Sequence, residues 1–274
     1  MRKSKLQDIL TKEILEYEYK NLGSMQKISD KLGVSIDSVY KYMKLHQIQY
    51  EQHYTGIYDC NHDLFSEENE KAFYLAGFIA ADGSLQKRKY SKILKICLSI
   101  KDKDHLINIR NWMESNNPIK EYVVKPSKKV KRAGLCAELQ IVSHQIYDDL
   151  SNFNIVPRKS LIYSLPDYLL DHKLINHFLR GVFDGDGCIT NCGLGEGRNV
   201  LQKHFNILGT EKFMQQYQEV LLKNSDINGV KITQKDNVWS LSYSGNNKVQ
   251  SIYDFLYKDA TIYLDRKRDK FTQH

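Results

Sequence analysis

Two aspartates, Asp82 and Asp186, stand 104 residues apart in similar stretches of the chain, and each is followed by a glycine. Each ends an apolar run with helical spacing. A carboxylate there lies at the negative end of the helix dipole, where an anion is disfavoured. Two such carboxylates side by side repel each other unless a cation lies between them. Because Mg²⁺ prefers hard oxygen ligands, the pair predicts a magnesium site. Its further predicted members are the chain neighbours Ala81, Gly83, Gly185 and Gly187.

The two stretches are copies of one another. Residues 73–85 align without a gap with residues 177–189. The identical pairs are Leu75/Leu179, Gly77/Gly181, Asp82/Asp186 and Gly83/Gly187. A single Asp-Gly after a helix is typical of a simple cap and turn, but two copies in corresponding places favour a paired site. The repeat predicts two similar halves of about a hundred residues each.

Small residues in each copy predict how the two helices pack. Gly77 and Ala81 lie four residues apart, as do Gly181 and Gly185. Small residues at this spacing share one helix face and allow two backbones to approach closely. We therefore expect a helix–helix interface through these four positions, with the helices parallel and both aspartates at one end. Gly83 and Gly187 are predicted to end the helices in the left-handed conformation.

Residues 75–83 and 179–187 resemble the motif that names the LAGLIDADG homing endonucleases. In that family the eighth motif position carries the metal-binding carboxylate, which maps to Asp82 and Asp186. The sixth position departs from the usual aspartate in the first copy, where Ala80 stands, but it is not a metal ligand in the family. The resemblance covers residues 65 to 274. It implies a saddle of antiparallel sheets that binds DNA, and cleavage across the minor groove.

A second repeated detail lies near the end of each half. Lys159 follows Asp82 by 77 residues, and Lys267 follows Asp186 by 81. Without the repeat, each could be a solvated basic residue at a domain end. The resemblance implies a catalytic lysine near the bound phosphate and water, a role that we carry to Lys159 and Lys267. Lys101 is a weaker candidate for the same pocket.

The pattern along the chain predicts α+β architecture in two pseudo-symmetric αββαββα halves. Alternating apolar residues mark strands, as in Leu94, Ile96 and Leu98, and amphipathic segments mark helices between the hairpins. With all helices on one face, the other sheet face is free. The predicted domains are a helix-turn-helix domain at residues 1–50, a linker at 51–66, and the two halves at 67–165 and 166–274.

The N-terminal segment predicts a helix over residues 1 to 20, then a helix-turn-helix. Gly33 makes the turn and Ser35 caps the second helix, which offers Lys41 and Lys44 to a major groove. The alternative is an αα-hairpin used only for packing.

Composition permits a nucleic-acid partner. The formal net charge is +7 and the pI is about 8.9, which favours a polyanion without proving one. No apolar run could span a bilayer or form a signal peptide, so we expect an intracellular, cytoplasmic or organellar protein that is not secreted. The five cysteines have no zinc-type spacing and are expected to be reduced thiols.

These observations, together with the resemblance, predict a monomeric, site-specific DNA endonuclease, and the resemblance implies that its double-stranded target is long and asymmetric. Mg²⁺ is the expected cofactor, with Mn²⁺ as a substitute and Ca²⁺ permitting binding without cleavage. Further expected DNA contacts, on the free sheet face and in basic loops, are Lys87, Lys89, Lys95, Lys101, Lys128, Lys129, Lys131, Arg132, Arg198, Gln202, His204, Lys231, Gln234 and Ser240. The alternatives are a non-catalytic transcription regulator on the same fold and an RNA maturase that binds intron RNA.

Overall fold

The computed structural model describes residues 3–48, 57–125, 133–193 and 201–272. The chain forms two compact units, Met1–His53 and Tyr54–His274. The division lies inside the stretch that the sequence predicts as a linker.

The described part of the N-terminal unit is helical. Its helices are α1 (Lys3–Ile9), α2 (Lys12–Leu22), α3 (Met25–Leu32) and α4 (Ile36–Leu45). The prediction of one helix over residues 1 to 20 is wrong, because the Thr11 hydroxyl accepts from the Ile14 amide and starts a new helix there. Gly33 follows α3 in the left-handed conformation, with φ at 64°, and turns the chain. The Ser35 hydroxyl then accepts from the Ser38 amide and caps α4.

The larger unit contains the two predicted halves. The first comprises α5 (Glu70–Asp82), β1 (Gly83–Lys87), β2 (Lys92–Ser99), α6 (Lys103–Trp112), β3 (Ile119–Val124), β4 (Gly134–Val142) and α7 (His144–Asn152). The second comprises α8 (Ile175–Asp186), β5 (Cys188–Gly193), β6 (Leu201–Gly209), α9 (Glu211–Asn224), β7 (Thr233–Lys235), β8 (Val238–Ser244), α10 (Asn246–Tyr257) and α11 (Asp265–Thr272). This order confirms the α+β prediction. Helix α11 was not predicted.

Each half has one four-stranded antiparallel sheet, and the two sheets have equivalent topology. Their strand orders are β1-β2-β4-β3 and β5-β6-β8-β7. Alternate residues of each central strand are buried against the helices, as are Leu94 and Ile96 in β2 and Phe205 and Ile207 in β6. The residues between them form the opposite, more polar face of each sheet.

Helices α5 and α8 pack against each other at the centre of this unit. A Cβ added to Gly77 would lie 2.0 Å from the Phe178 carbonyl oxygen, and one added to Gly181 would lie 2.1 Å from that of Tyr74. Further along, a Cβ on Gly185 would lie 2.4 Å from the Ala81 Cβ. Because the contacts advance together along both chains, the helices run parallel and end together.

Gly83 and Gly187 do not adopt the predicted left-handed conformation. Their φ angles are −85° and −75°, in the extended region from which β1 and β5 continue. Glycine is required there for space, because an added Cβ would lie 2.5 Å from the Ile79 Cγ2 or 2.1 Å from the Phe183 ring. The chain thus passes from helix to strand without a loop, so each aspartate sits directly at a helix–strand junction.

Candidate functional site

Asp82 and Asp186 lie together where α5 and α8 end. A Cβ on Gly185 would lie 3.1 Å from Asp82 Oδ2, so the Asp82 carboxylate reaches over the end of the partner helix. Asp82 is half-buried and Asp186 is exposed. The parallel packing therefore places two carboxylates from different halves at one accessible point.

Burial is the main influence on the pKa values of the two carboxylates. Desolvation and then the charge of Asp186 raise the pKa of Asp82 to about 6. Desolvation also raises the pKa of Asp186, although the ammonium groups of Lys159 and Lys267 oppose this shift. Burial thus disfavours the charged forms of both carboxylates, even with the two ammonium groups beside them.

The two predicted lysines occupy equivalent positions beside this pair, and both are buried. Lys159 Nζ donates to the Gly83 carbonyl oxygen at 2.5 Å. Lys267 Nζ donates to the Gly187 carbonyl oxygen and, at 3.4 Å, to that of Gly185. Burial lowers the pKa of both ammonium groups, while nearby aspartates oppose the shift. Each lysine is therefore held against the backbone at a helix–strand junction.

A cavity of about 300 Å³ opens on one side of the site, between the two halves. Lys159 from the first half and Asp186 from the second both line it, together with Gly209 at the end of β6. The arrangement thus combines an acid from one half with a lysine from the other.

Solved structures of homing endonucleases share this architecture. The homing endonuclease I-WcaI, bound to its DNA recognition sequence, matches with a TM-score of 0.55 over 75% of this chain and 90% of that chain, at 15% identity. The I-SmaMI LAGLIDADG homing endonuclease, bound to cleaved DNA, matches with a TM-score of 0.51 over 74% and 87%, at 16% identity. This chain has the LAGLIDADG homing endonuclease fold. No protein-family model and no curated protein sequence matches it.

In this LAGLIDADG fold, the sixth motif position of the second copy carries a buried carboxylate that sequence reasoning did not single out. Asp184 accepts from the hydroxyls of Tyr74 at 2.9 Å and Tyr257 at 2.5 Å, and from the Leu264 amide at 2.8 Å. Burial raises its pKa to about 6. The sequence did contain a signal for this residue: Ala80 stands at the same motif position in the first copy, so only the second half carries an acid there.

The predicted DNA contacts of the LAGLIDADG unit occupy varied surroundings. Lys87, Lys89, Lys101, Lys231 and Gln234 are exposed, although Lys231 precedes β7 and is not in a strand. On β2, Lys95 pairs with Glu138 at 2.9 Å.

On β6, Gln202 and His204 are half-exposed, and His204 Nδ1 lies 2.7 Å from the Ser244 hydroxyl. Ser240 does not fit the prediction of an exposed contact, because it is buried and its hydroxyl accepts from Asn206 at 2.7 Å. In the N-terminal unit, Lys41 and Lys44 are exposed on α4. The predicted contacts Lys128, Lys129, Lys131, Arg132 and Arg198 lie outside the described residues.

The chemistry of the donors at the aspartate pair fits a hard divalent cation. Two oxygen anions of raised pKa lie together, and one of them is exposed. Among the described residues, no cluster of three or more His, Cys, Asp or Glu side chains is arranged to hold a metal.

Cys60, Cys97, Cys136 and Cys188 are free thiols. No described helix combines the length and apolar character needed to cross a membrane.

Proposed function

We propose that this chain is a monomeric, site-specific endonuclease that makes a metal-dependent double-strand break in a long DNA target. The observation that carries the proposal is the pair Asp82 and Asp186 at the shared end of two parallel helices, each beside a buried lysine. The same fold is found in the homing endonucleases I-WcaI, solved with its DNA recognition sequence, and I-SmaMI, solved with cleaved DNA.

Asp82 and Asp186 would hold Mg²⁺ through their carboxylate oxygens. A bound divalent cation lowers the pKa of attacking water and stabilises a leaving oxygen in phosphoryl hydrolysis. The two carboxylates come from different halves, so each half would present one acid to one DNA strand. This arrangement matches the two hydrolyses that a double-strand break requires.

Lys159 and Lys267 would bind the phosphate oxygens and orient the attacking water. Both ammonium groups are already held by backbone carbonyls at the helix ends, so little reorganisation is needed when negative charge develops on a phosphate. Their burial keeps them beside the aspartates and away from bulk solvent. The lysines thus supply preorganised positive charge.

The polar faces of the two sheets would bind the duplex. Lysines such as Lys87 and Lys95 would contact phosphates, which position DNA, while Gln202 and His204 would reach base edges in the major groove. Sheet faces of different composition suit an asymmetric target, since the β2 face carries the Lys95–Glu138 pair and the β6 face carries His204 beside Ser244.

The decisive experiment selects binding sites from a random duplex library in Ca²⁺ and then transfers the selected DNA to Mg²⁺ or Mn²⁺. We expect enrichment of one long, asymmetric sequence, followed by a double-strand break within it. Specific binding without a break in either metal would contradict the endonuclease and assign the chain to DNA-binding regulators. Tighter binding to host-intron RNA than to any duplex would instead assign it to the maturases.

Divalent cations are expected to stabilise the protein in a pH-dependent way. The folded state binds a proton at Asp82 more tightly than the unfolded state does, since its pKa is raised to about 6. Ionisation of Asp82 therefore lowers the free energy of unfolding at pH values above about 6. This destabilisation disappears as the pH falls below about 4, the pKa of an aspartate in the unfolded chain. At pH 8, Ca²⁺ at about 100 times its Kd should stabilise by about 2.7 kcal/mol, or roughly 5–10 °C in Tm.

Thermal unfolding with and without Ca²⁺ from pH 4.5 to 8 measures this effect without any need for activity. The shift in Tm should shrink as the pH falls through about 6, because protons compete with the cation for Asp82. The D82N/D186N double variant is the control and should show no shift. An equal shift in that variant would place the cation elsewhere.

The N-terminal helices are expected to extend the DNA footprint. In the double variant K41Q/K44Q, affinity should fall, and the slope of log Kd against log[salt] should decrease by roughly one for each phosphate that is no longer neutralised. Cleavage at saturating DNA should be unchanged, because the variant leaves the aspartate pair intact. Footprinting measures the length of DNA that the protein protects, and binding across a salt series measures the affinity and its salt dependence.

The matched control is K12Q/K20Q, which removes the same charge from exposed positions on α2. We expect this variant to retain the full footprint. If both variants weaken binding equally, the helices contribute only general charge, and the αα-hairpin interpretation would stand.

A further inference from the structure

The C-terminal segment 261–272, which carries Lys267, is held by three carboxylates that lie outside it. Glu70 contributes from α5, Asp184 from α8, and Asp102 from the 3-10 helix Ile100–Asp102. Two of the three belong to the first half, although Lys267 belongs to the second. We refer to Glu70, Asp102 and Asp184 as the tail clamp.

Glu70 holds the beginning of the segment. Its carboxylate accepts from the Thr261 amide at 2.8 Å, the Thr261 hydroxyl at 2.7 Å and the Ile262 amide at 3.3 Å. The buried Arg180 completes this contact, donating to Glu70 at 2.6 Å and to the Ile262 carbonyl at 3.0 Å. A carboxylate at the start of the central helix of one half thus orders the tail of the other.

Asp184 and Asp102 hold the segment closer to Lys267. Asp184 accepts from the Leu264 amide at 2.8 Å, one residue before α11 begins. Asp102 accepts two hydrogen bonds from the Arg266 guanidinium, at 2.5 and 2.7 Å. Paired, charge-assisted bonds of this kind fix both distance and orientation. Because Arg266 precedes Lys267 directly, this contact sets where the lysine enters the site.

The equivalent lysine of the first half has a different support. Lys159 lies in the short 3-10 helix Lys159–Leu161. Among the described residues, no carboxylate forms a hydrogen bond or ion pair with residues 154–163. The side chains of Asn154, Lys159 and Tyr163 instead donate hydrogen bonds to backbone oxygens. The first copy also has Ala80 where the second has Asp184. The two lysines are therefore positioned by unlike means.

We propose that the tail clamp positions Lys267 alone, so that its loss disables one of the two strand cleavages and leaves a strand-specific nicking enzyme. This proposal rests on the endonuclease function above. Glu70, Asp102 and Asp184 are positioning residues, since they act through the backbone and Arg266. A displacement of about 1 Å at a reacting group can cost about 100-fold in rate. A loss of that size is expected on one strand, while the other strand is cut at nearly the wild-type rate.

The test measures cleavage of the selected target with each strand labelled separately, for the full-length variants D102N, D184N and E70Q. We expect all three to slow the same strand, by about 100-fold for D102N and D184N, with unchanged binding in Ca²⁺. The R266K variant keeps the charge opposite Asp102 and should restore part of the rate that R266Q loses. The control D149N alters a buried carboxylate that contacts Ser66 and Gln145 in the first half, and it should cut both strands normally.

Equal slowing of both strands, or slowing of different strands by different clamp variants, would overturn the proposal. Hydrogen exchange supplies a second measurement that needs no nuclease activity. The amides of residues 261–272 should exchange faster in each clamp variant than in wild type, while those of residues 154–163 should not change. If the wild-type protein cuts no DNA, the proposed function fails, and unchanged exchange at 261–272 would separately refute the clamp.

Discussion

Replacement of Asp82 or Asp186 by asparagine is expected to abolish double-strand cleavage while leaving DNA binding intact. Asparagine keeps the shape of the side chain but removes the negative charge that would hold a divalent cation. The loss should be at least about 10³-fold, the upper end of the range found when a single neutral hydrogen-bond donor is removed from a transition-state site. Both variants should still bind the selected duplex in Ca²⁺, since the sheet faces are unaltered.

Cleavage of a plasmid carrying the selected target, with nicked and linear products resolved, measures this prediction. The matched control D171N removes the charge from an exposed aspartate that pairs with Lys223, at 3.0 Å. It should cut like wild type. Substantial linear product from D82N or D186N would show that these carboxylates are not needed and would remove the central support for the proposed site.

Alanine at Gly77 or Gly181 is expected to destabilise the larger unit by about 3 kcal/mol, the upper end of the usual cost of overpacking. The added Cβ would lie 2.0 or 2.1 Å from a backbone carbonyl oxygen of the facing helix. A flexible side chain could rotate away, but a helical carbonyl cannot move without the helix. The two helices must therefore separate, which also moves Asp82 away from Asp186.

Urea denaturation followed by tyrosine and tryptophan fluorescence measures the free energy of unfolding. G134A is the matched control, because a Cβ there would meet nothing within 4 Å. Its stability should stay within about 1 kcal/mol of wild type, since glycine-to-alanine changes at unstrained positions act mainly on the unfolded chain. A G77A or G181A protein as stable as G134A would mean that the helices can pack less closely than the structure shows.

Much of the fold follows from local patterns in the sequence. The alternation around Leu94 to Leu98 specifies β2, and a serine hydroxyl specifies the start of α4, because each depends on residues a few positions apart. The repeat around Asp82 and Asp186 indicates two halves, because each copy is itself a local pattern of apolar and small residues. The small residues of the helix–helix interface can also be predicted, since their spacing places them on one helix face.

Local patterns mislead where two local preferences compete. The apolar pattern of residues 1 to 20 continues through Thr11, but its hydroxyl caps a new helix and interrupts the first. A glycine after a helix favours a left-handed turn, but Gly83 and Gly187 have extended backbone. Glycine is needed at these two positions because a Cβ would collide with Ile79 or Phe183.

The sequence by itself determined which residues could do the chemistry, namely two aspartates and two lysines in repeated surroundings. Only the tertiary structure decided how they are combined and held. Lys159 and Asp186 line one cavity from different halves, and Arg266 reaches Asp102 across 164 positions of the chain. Contacts at such separations have no periodicity along the sequence. They arise because parallel packing of α5 and α8 brings both halves to one point.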